Sequence, residues 1–261
     1  MDNISIVLDN IGIGYGNKTV AENLSLSIRQ GELTCLIGPN GTGKSTLLRT
    51  LCGFQPKLTG SINIMGRQID EYTAKELSRM VSVVLTEKTE TNNLSVRQLV
   101  ALGRAPYTGF WGKCDKSDMA IVDNAIEMVG ICELKERMVG SLSDGERQKT
   151  MIAKALAQQT PIIFLDEPTA FLDYPSKVET LLLLQRICKK TNKTIFLSTH
   201  DVELALQAAD CIWLMNGSHI TTGTPKQLAD NGMLQQFFDC DNLIFDNATG
   251  TFKIKKTETK K

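Results

Sequence analysis

The stretch GPNGTGKST, Gly38 to Thr46, brings glycines, one lysine and hydroxyl side chains together at the spacing G-x-x-x-x-G-K-[ST]. In the loop Gly38, Pro39, Asn40, Gly41, Thr42 and Gly43 the glycines let the backbone wrap an anion with its N–H groups exposed, and the following helix adds the positive field of its N-terminus. Lys44 supplies a mobile cation, Ser45 offers a hydroxyl to a magnesium ion, and Thr46 continues the phosphate-facing turn. The combination implies a cradle for a nucleoside triphosphate. A cradle binds without hydrolysing, so a carboxylate for the metal and a group that deprotonates or positions water are needed close by. IIFLDEPT supplies both: Asp166 ends an apolar run, and Glu167 follows it as a base able to face the γ-phosphate. His200 ends a second apolar run, TIFLSTH, where an imidazole can hydrogen-bond the γ-phosphate or orient water, a structural histidine being the other reading. His219, in NGSHI, reads as a bystander. LSDGERQK places Ser143 and the N–H groups of Gly145 and Glu146 at a helix start, which makes a second anion turn or a plain N-cap.

These groups need a sheet edge to bring them together. LTCLIG is an almost wholly apolar run that stops at Gly38, as a strand covered on both faces does. PIIFLD (161–166) and KTIFLST (193–199) are of the same kind, with the helical KVETLLLLQRICKK between them. Strand, helix and strand at this spacing imply parallel strands joined by crossovers, whose carboxyl edge is where such sheets bind ligands. Upstream, NISIVLDNIGIGYG and NLSLSIRQGE alternate apolar and polar positions, which predicts short antiparallel strands with Gly-rich turns. From about Leu94 to Gln158 the alternation disappears, and Met119, Val122, Ile126 and Val129 fall on one helical face. The expected fold is therefore α/β, with an antiparallel β edge subdomain and an all-helical insertion. Its parts are a nucleotide-binding core at 1–87 and 159–225, a helical subdomain at 88–158 and a C-terminal extension at 226–261.

The 261 residues are 42% apolar and 22% charged, an ordinary balance for one globular domain or two close-packed lobes. Lys plus Arg equals Asp plus Glu at 29 each, so no global field draws this surface to nucleic acid or anionic lipid. MDNISIVLDN has no basic n-region ahead of an apolar core, so no secretory signal is expected. No window approaches the roughly 20 apolar residues that cross a bilayer. A cytoplasmic chain is expected, with any membrane role borrowed from a partner. The seven cysteines are scattered and never spaced C-x-x-C, which argues against a disulfide framework and a zinc site.

In this order and spacing, GPNGTGKST, LSDGERQ, IIFLDEPT, AFLD and His200 resemble the ATPase subunits of ATP-binding cassette transporters, over about Ile4 to Thr224. The resemblance implies a P-loop NTPase (RecA-like) core that uses ATP and Mg2+, with Glu167 and His200 catalytic and Ser45 and Asp166 on the metal. It also implies a homodimer in which two chains sandwich two nucleotides head to tail. LSDGERQ then has a purpose, because the signature turn it resembles binds the γ-phosphate of the ATP held by the other subunit. Tyr15 in GIGYG matches the aromatic that stacks on adenine, a structural tyrosine being the alternative, and Asp173 in AFLD matches an organiser of the dimer contact. The resemblance further implies two membrane permease subunits, an indirect substrate-binding protein and a place on the cytoplasmic face of the inner membrane. ALGRAPYTG (101–109) resembles the importers of iron–siderophore complexes, haem and cobalamin.

Two positions depart from that pattern. Asp144 stands where the family usually has glycine; aspartate tolerates left-handed backbone, so the turn can survive. After MVSVVL the family carries a glutamine on the magnesium side, whereas LTEKTE puts Thr86 there with Glu87 next, and either is a candidate for the metal-side role. A soluble cassette protein acting on DNA or ribosomes is the alternative of a different class, with an exporter subunit the alternative within transport. The neutral charge and the absence of a basic patch weigh against nucleic acid.

Overall fold

The computed structural model describes residues 4–16, 18–86, 93–109, 112–238, 243–246 and 249–254. β1 (Ile4–Tyr15) and β2 (Lys18–Arg29) pair antiparallel, as their alternation predicts, and bury Ile6, Leu8, Leu24 and Ile28. β3 (Leu33–Ile37) is buried at every position and runs through the glycine loop into α1 (Lys44–Leu51). Gly53 follows the helix at φ 72, a left-handed stop that an L side chain rarely adopts. β4 (Thr59–Ile64) and β5 (Arg67–Gln68) complete an antiparallel sheet in the order β2-β1-β4-β5. α2 (Ala74–Met80), opened by a Thr73–Glu76 capping box, leads into β6 (Val81–Val84).

The stretch without alternation is helical: α3 (Val96–Ala101), α4 (Lys116–Met128) and α5 (Asp144–Ala157) pack on one another. The chain then alternates again through β7 (Ile162–Asp166), α6 (Tyr174–Thr191), β8 (Thr194–Thr199), α7 (Val202–Ala208), β9 (Cys211–Asn216) and β10 (His219–Gly223). α8 (Pro225–Asp230), α9 (Met233–Phe237) and the hairpin of β11 (Leu243–Asp246) and β12 (Thr251–Ile254) follow.

The second sheet has the order β10-β9-β3-β8-β7-β6, parallel throughout except for β10. Its central strands β3, β7 and β8 are buried at every position because both faces are covered. Ile163, Leu165, Ile195 and Leu197 point to a core shared with α3 to α7, while Phe164, Phe196 and Trp213 point to the opposite core under β1, β4 and α1. There Phe196 meets Phe164 and Trp213 edge to face at 5.6 and 5.1 Å, worth about 0.5–1.5 kcal/mol per pair beyond burial. The strand order decides the site. The loops after β3, β8, β7 and β6 leave from neighbouring strands at one carboxyl edge, so residues far apart in sequence meet there.

Candidate functional site

The loop after β3 is shaped by close approach. A Cβ on Gly38 would lie 2.5 Å from the Met215 carbonyl oxygen, and Gly43, at φ 103, would push one to 2.3 Å from Val20 Cγ1. α1 has no side-chain cap and no acidic residue in its first turn, so the N–H groups at its start stay available to an anion. Lys44 is 5% exposed, and its Nζ donates to the carbonyls of Gly38 at 2.9 Å and Pro39 at 3.1 Å. Burial pushes its ammonium below the ordinary lysine range, and Glu167 and Asp166 oppose that shift. An arriving phosphate would replace two neutral acceptors with an anion, which is the stronger partner for a desolvated cation. The Tyr15 ring is half exposed beside this loop, and its hydroxyl accepts from Thr46 Oγ1 at 3.2 Å.

At the end of β7, Asp166 is 7% exposed, and its Oδ1 accepts from Ser198 Oγ at 2.6 Å and Ser45 Oγ at 3.2 Å. A buried carboxylate held by neutral hydroxyls is suited to a cation. The donor set is hard oxygen, the kind that magnesium takes, and it stands at the anion-binding helix start, so the residues present fit Mg2+. Glu167 follows at φ 48, a left-handed conformation that costs a non-glycine residue about 1–2 kcal/mol. His200 Nε2 lies 2.5 Å from Glu167 Oε1, a separation at which the ring N–H donates to the carboxylate. The structure thus brings Lys44, Ser45, Asp166, Glu167 and His200 to one edge, and His219 lies apart from them on β10.

The start of α5, the second candidate anion turn, carries a capping box. Ser143 caps α5: its Oγ accepts from the Glu146 N–H at 3.3 Å, while Glu146 Oε2 accepts from the Ser143 N–H at 2.8 Å and the Ser143 hydroxyl at 3.0 Å. Hydrogen bonding from the Ser143 backbone, then from its side chain, holds the Glu146 carboxyl below the usual range. Gly145 sits in the same first turn, open enough that an added Cβ would come no nearer than 3.4 Å, to Ser176 Oγ. Asp173 caps α6 by accepting from the Ser176 N–H at 3.1 Å.

Thr86 reaches the site in an unexpected way: its Oγ1 donates to the backbone carbonyl of Asp166 at 2.6 Å. Glu87, its rival for the metal-side role, lies outside the described residues. Sequence reasoning missed Ser198, which holds both Asp166 and the Glu167 N–H; a fully buried hydroxyl inside the apolar run TIFLST was the available signal. It also missed Arg147 and Gln148 of α5. These line a cavity of about 60 Å³ with Thr86, Asp144, Asp166 and Glu167, and the buried Arg147 Nε and Gln148 Nε2 have no hydrogen-bond partner among the described residues. Leu85, Leu99, Val139 and Met151 line it as well, so the void is polar only in part, where its size leaves room for a few waters.

A family model described as ABC transporter matches residues 21–170. The iron(3+)-hydroxamate import ATP-binding protein FhuC of Bacillus subtilis is 35% identical, over 97% of this chain and 97% of its own length. The ferric enterobactin transport ATP-binding protein FepC of Escherichia coli is 35% identical, over 92% of this chain and 89% of its own. Among solved structures, cbiO1 from Clostridium perfringens, part of the ABC transporter complex cbiONQ, matches with a TM-score of 0.80 at 26% identity, over 90% of this chain and 94% of that one.

Proposed function

The chain belongs to the ABC transporter family, and we propose that it is the ATP-hydrolysing subunit of an importer for a metal chelate of the iron–siderophore, haem or cobalamin type. The observation that carries the reading is the convergence of the loops after β3, β7 and β8, which sets a phosphate cradle, a metal-ready carboxylate and a base at one edge. Relatives of nearly full-length match are named for iron(3+)-hydroxamate import and for ferric enterobactin transport, which supports the cargo class.

In this reading Gly38 to Thr46 hold the ATP phosphates, Lys44 turns from its two carbonyls to the anion, and Tyr15 offers its exposed ring to adenine. Ser45 and Asp166 hold Mg2+, which when bound neutralises phosphate charge. Glu167 takes the proton from the attacking water, and His200, now on the Glu167 carboxylate, is near enough to orient that water or the γ-phosphate. The active form is a homodimer in which Ser143, Gly145 and Glu146 of each chain face the other's nucleotide, with Asp173 at the contact.

No helix among the described residues is long and apolar enough to cross a membrane, so transport needs permease partners, with the chain docked on the cytoplasmic face of the inner membrane. A groove of about 620 Å³ lined by Phe54, Tyr72, Leu77, Ser78 and Gln158 is the proposed seat for a permease helix. Gln158 donates to the carbonyls of Ser78 at 2.5 Å and Val81 at 3.0 Å, so a helix seated there would bear on α2, β6 and the end of α5 together. The test is uptake of ferric hydroxamate, ferric enterobactin, haem and cobalamin by cells lacking this chain. Loss of one, restored by the wild-type chain and not by Glu167→Gln, is expected; undiminished uptake of all four would overturn the cargo class.

A further inference from the structure

We propose that Thr86 is a positioning residue: it holds the peptide between Asp166 and Glu167, and through it the Glu167 carboxylate, in working orientation. The parallel pairing of β6 with β7 ends at Val84 and Leu165, so the Asp166 carbonyl has no backbone partner from that ladder. The Thr86 hydroxyl takes its place at 2.6 Å. On the other side of the same peptide unit, the Glu167 N–H donates to the Ser198 carbonyl at 3.1 Å and to Ser198 Oγ at 3.0 Å. One peptide is therefore gripped at its oxygen from the loop after β6 and at its nitrogen from β8.

That grip matters because Glu167 is in the left-handed region, at φ 48, where an L residue stays only if its surroundings hold it. A flip of this peptide would relieve the backbone and swing the carboxylate away from His200, whose Nε2 it meets at 2.5 Å. Misplacing a reacting group by about 1 Å can slow chemistry by about a hundredfold. Threonine is short enough to spend its single hydroxyl proton on the nearby carbonyl, where a glutamine would extend farther into the loop cluster. The reason for the departure at this position is thus geometric: the side chain completes a strand edge instead of reaching for a ligand.

The inference rests on Glu167 being the base, and the test separates the two. In the full chain, ATP hydrolysis, ATP affinity, magnesium half-saturation and hydrogen exchange of the Glu167 amide are measured for Thr86→Val, Thr86→Ser and Glu167→Gln. Thr86→Val is expected to lower kcat by about tenfold, the worth of one hydrogen bond. It should leave KM, ATP affinity and magnesium half-saturation within about twofold, as for a site that binds normally, and should speed exchange of the Glu167 amide. Thr86→Ser, which keeps the hydroxyl, should restore kcat and slow exchange. Thr86→Ala removes the same hydroxyl with less bulk and is held to the same outcomes if valine prevents folding. An unchanged kcat in Thr86→Val, or a serine variant as impaired as the valine, overturns the proposal. So does a raised magnesium half-saturation with unchanged amide exchange, which would make Thr86 a metal-side group. Turnover retained by Glu167→Gln overturns the base assignment itself, whereas turnover lost in Glu167→Gln but kept in Thr86→Val overturns the positioning role alone.

Discussion

At the start of α1 the backbone N–H groups have no side-chain cap, the first turn carries no acidic residue, and a desolvated lysine rests on neutral carbonyls. At the start of α5 a capping box is closed: the Glu146 N–H donates to Ser143 Oγ, the Ser143 N–H and hydroxyl donate to the Glu146 carboxylate, and Asp144 stands beside them. Both are helix N-termini with the same positive field. The first is left open to an anion from solution, and its glycines make room by bringing backbone rather than side chains to the surface of the cradle. At the second, the Ser143 N–H and hydroxyl already hold a carboxylate of the same chain, so an external anion must displace Glu146 before it can use the Ser143 hydroxyl. The two helix starts therefore differ in readiness for an anion, which suits the role proposed for the second, at a nucleotide held by a partner chain.

The largest effect expected comes from removing chemistry while leaving both turns intact. Glu167→Gln should lower turnover by about 10²–10⁴-fold, the usual worth of a positioned base, with ATP affinity retained and an ATP-dependent dimer visible by light scattering. A variant that binds ATP yet stays monomeric would break the idea that the second turn waits for a partner. Lys44→Ala comes next, with ATP affinity falling by roughly tenfold to a hundredfold for the loss of charged hydrogen bonds. Near-normal affinity in a nucleotide titration would mean that the open turn is not the cradle.

Ser143→Arg sharpens the contrast between the turns. It should reduce hydrolysis by at least about tenfold through steric and electrostatic blocking of closure, while ATP affinity of the isolated monomer stays unchanged. An equal fall in monomer affinity would place Ser143 in its own chain's site. The smallest effect belongs to Glu146→Gln, which keeps the box geometry and removes the competing charge. The ATP concentration for half-maximal dimerisation should fall by a few-fold, about the worth of a carboxylate at a helix start. The Glu146 carboxyl is held below its usual range, so its contribution to stability is complete above the unfolded carboxylate pKa of ~4.3 and disappears as pH falls through the lower folded value. Acid unfolding curves should show that loss in the wild type and not in Glu146→Gln.

Much of this molecule is legible in its residues because the relevant signals are local. GPNGTGKST needs only its own glycines, lysine and hydroxyls to declare a phosphate turn, and unbroken apolar runs such as PIIFLD declare strands covered on both faces. Alternation in β1 and β2, and its disappearance between Leu94 and Gln158, separates the antiparallel edge from the helical part. The resemblance in motif order extends that reading to the family, which the match over residues 21–170 shows.

Other features depend on pairings that no local window contains. The role of Thr86 at the Asp166 carbonyl, 80 positions away, follows from β6 lying next to β7, and the two roles of Ser198 follow from β8 lying between β7 and β3. Likewise, LSDGERQ announces a helix start that favours anions, but only side-chain rotamers decide that the Ser143 hydroxyl and N–H are held by Glu146. Residue type and spacing determine which groups are available because those depend on the chain alone. Strand order and side-chain direction determine which groups meet, because a hydrogen bond is made or lost within less than an ångström and that placement is the joint result of the whole packed core.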